Sequence, residues 1–441
     1  MFDVAAWLAR NPPHCAGPPV VSQPAALGCW TKASARSGDG SGGRTRLQFG
    51  DPSGLLPFVL PSLPASLDSG LYIAKAADEG VGVETVVRSA LAAGVDLGAA
   101  GLVSFRNNLN KIFGVSFDPS AAWTVDACLL ALPGGAAATN RGGSAAYDGD
   151  STAGAPAASS GAAGGTLFLD IVQHEQAWSC NQADLERFVR WGYQFEALCT
   201  RQPVADPSSE FGLLIRTRIG PHRLLLGAEM DCYDPQQGQA PTAAPAPAAS
   251  SQREAPERSA QPPSGQQGLA QQQLPSLSSC VELKTYRMPQ HPGQQRTLYR
   301  HKHPKWWLQS FLAGVPRLAL GARDDEGMVH RVDLVSTADL PRISAAHAEA
   351  WSPNLALGCG VALLDWMREQ AESQPGQHLR FTYDGSSSSS SSSSRYMAAG
   401  GGARGGSRGG STAGVLRCEL VQGGELPSRL QRCFREGSPT A

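Results

Sequence analysis

No stretch of the 441 residues approaches the run of about 20 apolar residues that a membrane-spanning helix needs. The segment Met1 to Arg10 is too short and wrongly flanked for a secretory leader. The ten cysteines form no CxxC pair and no dense framework, which excludes a zinc ribbon and predicts reduced thiols of the cytosol or nucleus. Histidines show neither HExxH nor another zinc spacing, and no P-loop or strand-to-helix dinucleotide turn is present. Basic residues hold no surplus, with 37 Lys and Arg against 38 Asp and Glu and a net charge of −1. A polyanionic substrate would therefore have to be met by a local basic patch or by bound cations.

A hydrophobic fraction of 41% is enough for a packed core. Three segments interrupt it: 134–164 is almost all Gly, Ala, Ser and Thr, 235–279 is rich in Pro, Gln and Ala, and 385–412 holds nine consecutive serines. Such compositions bury too little apolar surface to offset their ordering entropy, so all three are expected to be disordered insertions. The last carries an RGG-like pair at Arg404 and Arg408 that could touch RNA. One domain over 44–425, interrupted by these insertions and preceded by a variable segment 1–43, is the most economical organisation.

Between the insertions the period alternates. Thr166 to Val172, Phe211 to Ile219, Arg223 to Cys232, Cys280 to Tyr286, Leu318 to Ala322, Met328 to Val335, Leu379 to Tyr383 and Val415 to Val421 read as strands. Asn181 can cap a helix reaching Thr200, Pro304 and Gly314 bracket another, and Leu355 to Ala371 is amphipathic. The order predicts an α+β (mixed α/β) fold, a largely antiparallel sheet with flanking helices.

Glu229 and Asp231 stand two apart on one predicted strand, and Glu282 and Lys284 two apart on the next, so each pair shares a strand face. Alone, either pair would be an ordinary solvated face. If the two strands are partners across the Pro/Gln-rich loop, whose length adds little closure entropy, three carboxylates and an ammonium converge. Like charges that close cannot all ionise unassisted, and hard oxygen donors suit Mg²⁺ or Mn²⁺ rather than zinc. Glu196 falls on the inward stripe of the helix from Asn181, with Leu185, Phe188, Val189, Gly192 and Cys199. An inward acid needs a metal or an ion-pair partner, for which Arg187 and Arg190 are the candidates.

The segments Gly192-Tyr193-Gln194-Phe195-Glu196, Glu229-Met230-Asp231 and Glu282-Leu283-Lys284 resemble the GYxFE, ExD and ExK motifs of the decapping exoribonuclease family, nucleases with a PD-(D/E)xK-like active site. Phe105 to Ile112, Tyr299 to Leu312, Gly321 to Gly327 and Trp351 to Asn354 are similar to further segments of that family. The resemblance implies Glu196, Glu229, Asp231, Glu282 and the carbonyl of Leu283 as ligands of two divalent ions, Mg²⁺ or Mn²⁺. It implies Glu229, Asp231, Glu282 and Lys284 as catalytic residues, with Arg106, Gly212, Glu229, Lys284 and Gln309 contacting substrate. Gly212 stands where some relatives place a larger residue. The implied function is hydrolysis at RNA 5′ ends, removing incomplete or nucleotide-metabolite caps such as NAD, with 5′-to-3′ digestion as a further activity. A nuclear location is expected, with the cytoplasm as alternative, and a larger 5′-to-3′ exoribonuclease is the expected protein partner.

Two other readings stand beside this one: a module that stabilises such an exoribonuclease, and a PD-(D/E)xK-type DNA nuclease, which shares the metal logic. The basic-aromatic run from Arg296 to Trp307 could guide a strand, although Trp306 and Trp307 are expected to pack the helix into the core.

Overall fold

The structure, a computed structural model, describes residues 1–12, 17–34, 45–73, 82–132, 165–172, 181–237, 274–385 and 414–436. The segment 134–164, all of 385–412 but Gly385, with its RGG-like pair, and 238–273 lie outside the described residues.

The chain opens with β1 (Phe2–Asp3), α1 (Val4–Arg10), β2 (Ala25–Ser34), β3 (Thr45–Phe49), β4 (Ala65–Ser66) and β5 (Leu71–Tyr72). There follow α2 (Glu84–Ala92), β6 (Leu102–Phe105), α3 (Arg106–Gly114), β7 (Trp123–Leu130), β8 (Thr166–Ile171) and α4 (Gln182–Thr200). Next come β9 (Val204–Ala205), β10 (Glu210–Ile219), β11 (His222–Glu229), β12 (Cys232–Tyr233), β13 (Cys280–Arg287) and α5 (Pro292–Arg296). A π-helical turn over Thr297–Lys302 leads into α6 (His303–Ala313), then β14 (Arg317–Arg323), β15 (Met328–Ser336), α7 (Leu340–Ala346) and α8 (Pro353–Glu372). β16 (Leu379–Tyr383), β17 (Val415–Leu420) and α9 (Leu426–Glu436) close the chain.

Ten strands form one mixed sheet in the order β1-β17-β16-β7-β8-β6-β11-β10-β2-β3, and five form a second, β12-β13-β14-β15-β4. Pairing is mostly antiparallel; β6 runs parallel to β8 and β11, and β13 parallel to β14. Val86, Val87, Leu426 and Leu430 of α2 and α9 cover one face of the large sheet on Val103, Phe168 and Leu225. Helices α3, α6 and α8 pack through Leu109, Phe113, Leu308 and Leu363 between its other face and the Tyr286, Leu318 and Leu320 face of the small sheet. On the small sheet's far face, Trp191, Phe195 and Cys199 of α4 meet Val281, Leu283 and Ala319. The expected α+β architecture holds.

The domain is wider than the expected 44–425. Parts of the segment 1–43 belong to it: β1 pairs with β17, and β2 pairs with both β10 and β3 inside the large sheet. The sequence Ala25 to Ser34 mixes small and polar residues, so its role is set by neighbours rather than by its own period. At the other end, α9 buries Leu426, Leu430 and Cys433 beyond residue 425. The insertion at 235–279 is shorter than its composition suggests, because Pro235–Gln237 and Leu277–Ser279 form 3-10 turns and Leu274 and Leu277 pack on the core.

On α4 the apolar stripe is also displaced. The buried positions are Trp191, Phe195 and Cys199, whereas Phe188 and Val189 are 42% and 44% exposed. A helical stripe of four-residue steps fits either set; the sheet selects the one with the larger ring, Trp191.

Candidate active site

The large and small sheets share one crossing in the middle of the chain, and the acids sit on it. β11 ends at Glu229, the amide of Met230 still donates to the carbonyl of Phe211 on β10 at 2.9 Å, and Cys232 already pairs with Val281 on β13. Only Met230 and Asp231 lie between the two sheets, and among the described residues Asp231 alone makes no backbone–backbone bond to either. Ala228 and Met230 turn into an apolar cluster, so Glu229 and Asp231 turn away from it, as the two-residue period requires. The strands carrying the two acidic motifs are thus not partners in one sheet; the short β12 mediates between them.

Because β12 is only two residues long, the edge of β13 is open beyond Val281. Asp231 Oδ2 accepts the Leu283 amide there at 2.6 Å. A residue's N–H and C=O point to the same side of a strand, so the Leu283 carbonyl faces that same edge.

Glu282 is 1% exposed and is held from three sides. Lys284 Nζ donates to its Oε1 at 2.6 Å, the Gln309 amide of α6 donates to the same oxygen, and Arg106 Nη1 of α3 approaches Oε2 at 3.4 Å. Arg106 occupies the first position of α3, just after β6, and is itself 7% exposed. Glu196 comes from α4, and its electrostatic neighbours are Asp231, Lys284, Glu282 and Glu229. Neither expected arginine reaches it: Arg187 bonds Asp184 and Arg190 bonds the carbonyl of Asp68.

The charges do not balance within the cluster. Burial lifts the Glu196 carboxyl well above its usual range, and the charge of Asp231 adds to this. Burial together with the charge of Glu282 raises Asp231 to about 6, against the pull of Lys284 and the Leu283 amide. Burial pushes Glu282 up as well, but the charges of Lys284 and Arg106 outweigh it and hold it low. Burial would lower Lys284, and the charges of Glu282 and Asp231 more than reverse that. Four carboxylates stand against two cations. Among the described residues no three acidic, histidine or cysteine side chains already converge on one coordination point.

Gly212 and Glu229 are cross-strand partners on β10 and β11, and Trp30 is the partner of Gly212 on the other side. A Cβ built on Gly212 would run into the Trp30 ring, and one on Gly227 would meet Val86, Trp30 and Phe105. The space that a larger residue at 212 would take is therefore filled by Trp30, which is 3% exposed. Sequence reasoning does not find Trp30, because it lies in the segment 1–43, which matches none of the motifs. Trp306 and Trp307 are buried as expected, at 8% and 5%.

An E-x-D at the end of one strand followed by an E-x-K on the next, backed by a helical acid, is the arrangement of a PD-(D/E)XK nuclease. A family model described as "RAI1 like PD-(D/E)XK nuclease" matches residues 162–402, more than half of the sequence, and the chain belongs to that family. It is 32% identical over 214 residues to the human decapping and exoribonuclease protein, covering 46% of each chain. It is 26% identical over 215 residues to decapping nuclease RAI1 of Aspergillus fumigatus, covering 45% of this chain and 49% of that one. The match thus spans about half the length of these curated relatives. Among solved structures, Schizosaccharomyces pombe Rai1 in complex with 3′-FADP superposes with a TM-score of 0.58 at 20% identity, over 87% of this chain and 96% of that one. Candida albicans Rai1 in complex with pU5-Mn²⁺ gives 0.55 at 17% identity, over 83% and 87%. These likenesses show the fold.

Proposed function

We propose that this chain is a divalent-metal-dependent hydrolase of RNA 5′ ends that removes incomplete or nucleotide-metabolite caps, such as an NAD cap, and continues into 5′-to-3′ digestion. The observation that carries the reading is Glu282, buried and gripped by Lys284, Gln309 and Arg106 while Glu196, Glu229 and Asp231 crowd the same place. Curated relatives named as decapping nucleases support it, as do structural neighbours solved in complex with pU5-Mn²⁺ and with (3′-NADP)⁺ and calcium.

The residues fit a divalent cation. Every candidate donor is a hard oxygen, and the four carboxylates outnumber Lys284 and Arg106, with Glu196 and Asp231 raised chiefly by burial and further by a neighbouring carboxylate, so a cation would favour their ionised forms. Glu196, Glu229, Asp231, Glu282 and the Leu283 carbonyl would hold two ions of Mg²⁺ or Mn²⁺, which when bound supply Lewis-acid charge to the phosphoryl oxygens. Lys284 places a fixed ammonium where charge develops on the phosphate, in a site preorganised by its bond to Glu282. Gln309 offers an amide to a phosphate oxygen or to the attacking water. Arg106, at the start of α3, is placed to take a backbone phosphate, a contact that positions the strand without reading its sequence.

Purified protein incubated with NAD-capped, triphosphorylated and fully capped RNAs, with Mg²⁺ or Mn²⁺, should release the 5′ group from at least one class. No release from any of them with either metal would leave the alternative, a module that binds a larger 5′-to-3′ exoribonuclease. A nuclear location, with the cytoplasm as alternative, is part of this proposal and rests on the family resemblance alone.

A further inference from the structure

A second basic and aromatic constellation lies two turns down α4 from Glu196. The Arg187 and Arg323 guanidiniums lie 5.6 and 5.4 Å from the centre of the Phe188 ring. The same two guanidiniums lie 5.0 and 4.4 Å from the Trp191 ring. Trp191 is buried, donates its ring N–H to Asp68 Oδ1 at 2.8 Å, and with Phe195 and Cys199 already packs the helix on the small sheet. Phe188 is 42% exposed. A ring that rests on Trp191 but stays partly exposed beside two cations adds less to packing than a buried one, and it calls for a further explanation.

The charge around it is unbalanced as well. Arg323 and Lys302 form no ion pair among the described residues, and Lys302 lies over the Trp306 ring at 6.0 Å. Asp324 and Asp325 are close to Arg323 but give their side-chain oxygens to His330 and Arg287. Burial depresses Arg323, and the charges of Arg287 and Arg187 add to this while those of Asp325 and Asp324 oppose it without reversing it. Arg187 and Arg287 have partners in Asp184 and Asp325 but stay exposed. Arg187, Arg287, Arg323 and Lys302 against Asp184, Asp324 and Asp325 thus leave a net excess of one positive charge beside one partly exposed aromatic ring. Base-on-ring stacking beside a cationic track is how proteins hold single-stranded nucleic acid without reading its sequence.

We propose that Phe188, flanked by Arg187 and Arg323 and backed by Lys302 and Arg287, is a stacking platform for a base of the RNA strand whose 5′ end is held at the acidic site. This rests on the function proposed above and extends it from the 5′ end to the body of the substrate. Eight residues of helix separate Phe188 from Glu196, about 12 Å along the axis. That is roughly four nucleotides of a stacked strand at about 3.4 Å each. The acidic site would hold the end, and the platform would select for length.

The test uses the full chain and nuclease-resistant phosphorothioate RNAs with a 5′-monophosphate, of two and of ten nucleotides, and measures their affinities by anisotropy. The parent should prefer the decamer. Phe188→Ala should weaken decamer binding about five-fold or more and bring the decamer-to-dimer affinity ratio towards one, while Phe188→Trp keeps the ratio. Arg187→Gln should lower the salt slope of decamer binding by about one. An unchanged ratio in Phe188→Ala, with its fold confirmed by melting, overturns the platform and leaves the nuclease reading standing. A parent that binds neither RNA overturns both. If an acidic peptide displaces the decamer with the same dependence on Phe188, the surface belongs to a protein partner and the RNA platform is refuted.

Discussion

The carboxylate of Asp231 accepts the backbone amide of Leu283 at 2.6 Å, and this bond joins the two sheets at the centre of the site. Met230 is still tied to β10 and Cys232 already to β13, so Asp231 has no freedom to turn elsewhere. Its second oxygen and its charge are left for chemistry. One residue thereby closes a strand edge and supplies an acid, and those two roles can be separated by mutation.

Asp231→Asn keeps an oxygen for the Leu283 amide and removes the charge. Turnover of 5′-modified RNA should fall at least about 100-fold, as expected when a group acting on the transition state is lost, with the melting temperature little changed. Asp231→Ala loses the bond too and should cost an additional 1–3 kcal/mol or so of stability, because a buried amide is left unpaired. Equal turnover in parent and Asp231→Asn would show that the acids are not catalytic.

Divalent cations should raise the melting temperature, since four carboxylates stand against two cations. EDTA should abolish hydrolysis, and Mn²⁺ or Mg²⁺ should restore it. Glu196→Gln should shrink the metal-induced shift in melting. A shift of the same size in that variant would remove Glu196 from the ligand set.

Removal of residues 240–271 and their replacement by a short Gly/Ser linker should change the melting temperature by no more than a few degrees, since their composition carries no core-forming pattern. Extending the deletion to residue 277 removes Leu274 and Leu277, which pack partly buried against the core beside β10, and costs a fraction of the roughly 1.5–3 kcal/mol that each leucine contributes when fully buried. Calorimetry of the two deletions should therefore separate them clearly. Equal melting of both would mean that the 3-10 turn before β13 contributes nothing.

Gly212→Ala should destabilise by about 1–3 kcal/mol, because the added methyl collides with the Trp30 ring. Combined with Trp30→Leu the penalty should shrink, so the double variant is more stable than the sum of the singles. Additive effects would show that Trp30 does not fill the space over Gly212.

His303 is 3% exposed, bonds Ser344 Oγ at 3.1 Å, and is lowered to about 4 by burial. An unfolded histidine titrates near 6.5, so the folded chain loses stability as the pH falls from about 6.5 towards 4. The loss from this group amounts to roughly 3 kcal/mol at 1.36 kcal/mol per unit. Melting between pH 7 and 4.5 should show a smaller decline in His303→Gln than in the parent. Parallel declines would mean that His303 is not buried as a neutral ring.

Local order was legible in the sequence wherever one period dominated. The helix capped by Asn181, the hairpin from Phe211 to Glu229 and the turn of α6 at Gly314 need only near neighbours, and all are present. The acids were legible as well, because paired charges two apart on an apolar strand are costly unless they act together. What only the tertiary structure decided is how those strands meet. Side-chain period is blind to which sheet a strand joins, so the crossing at Asp231 and the separation of the motif strands into two sheets could not be read from it. The same holds for β2, whose mixed small, polar and aromatic side chains carry no clear stripe and whose place between β10 and β3 follows from backbone pairing. Phe188 and Trp191 make the point within one helix. Either could have faced inward by period alone, and contact with Gly327 and Arg323 on the small sheet turned Trp191 into the core and left Phe188 in water.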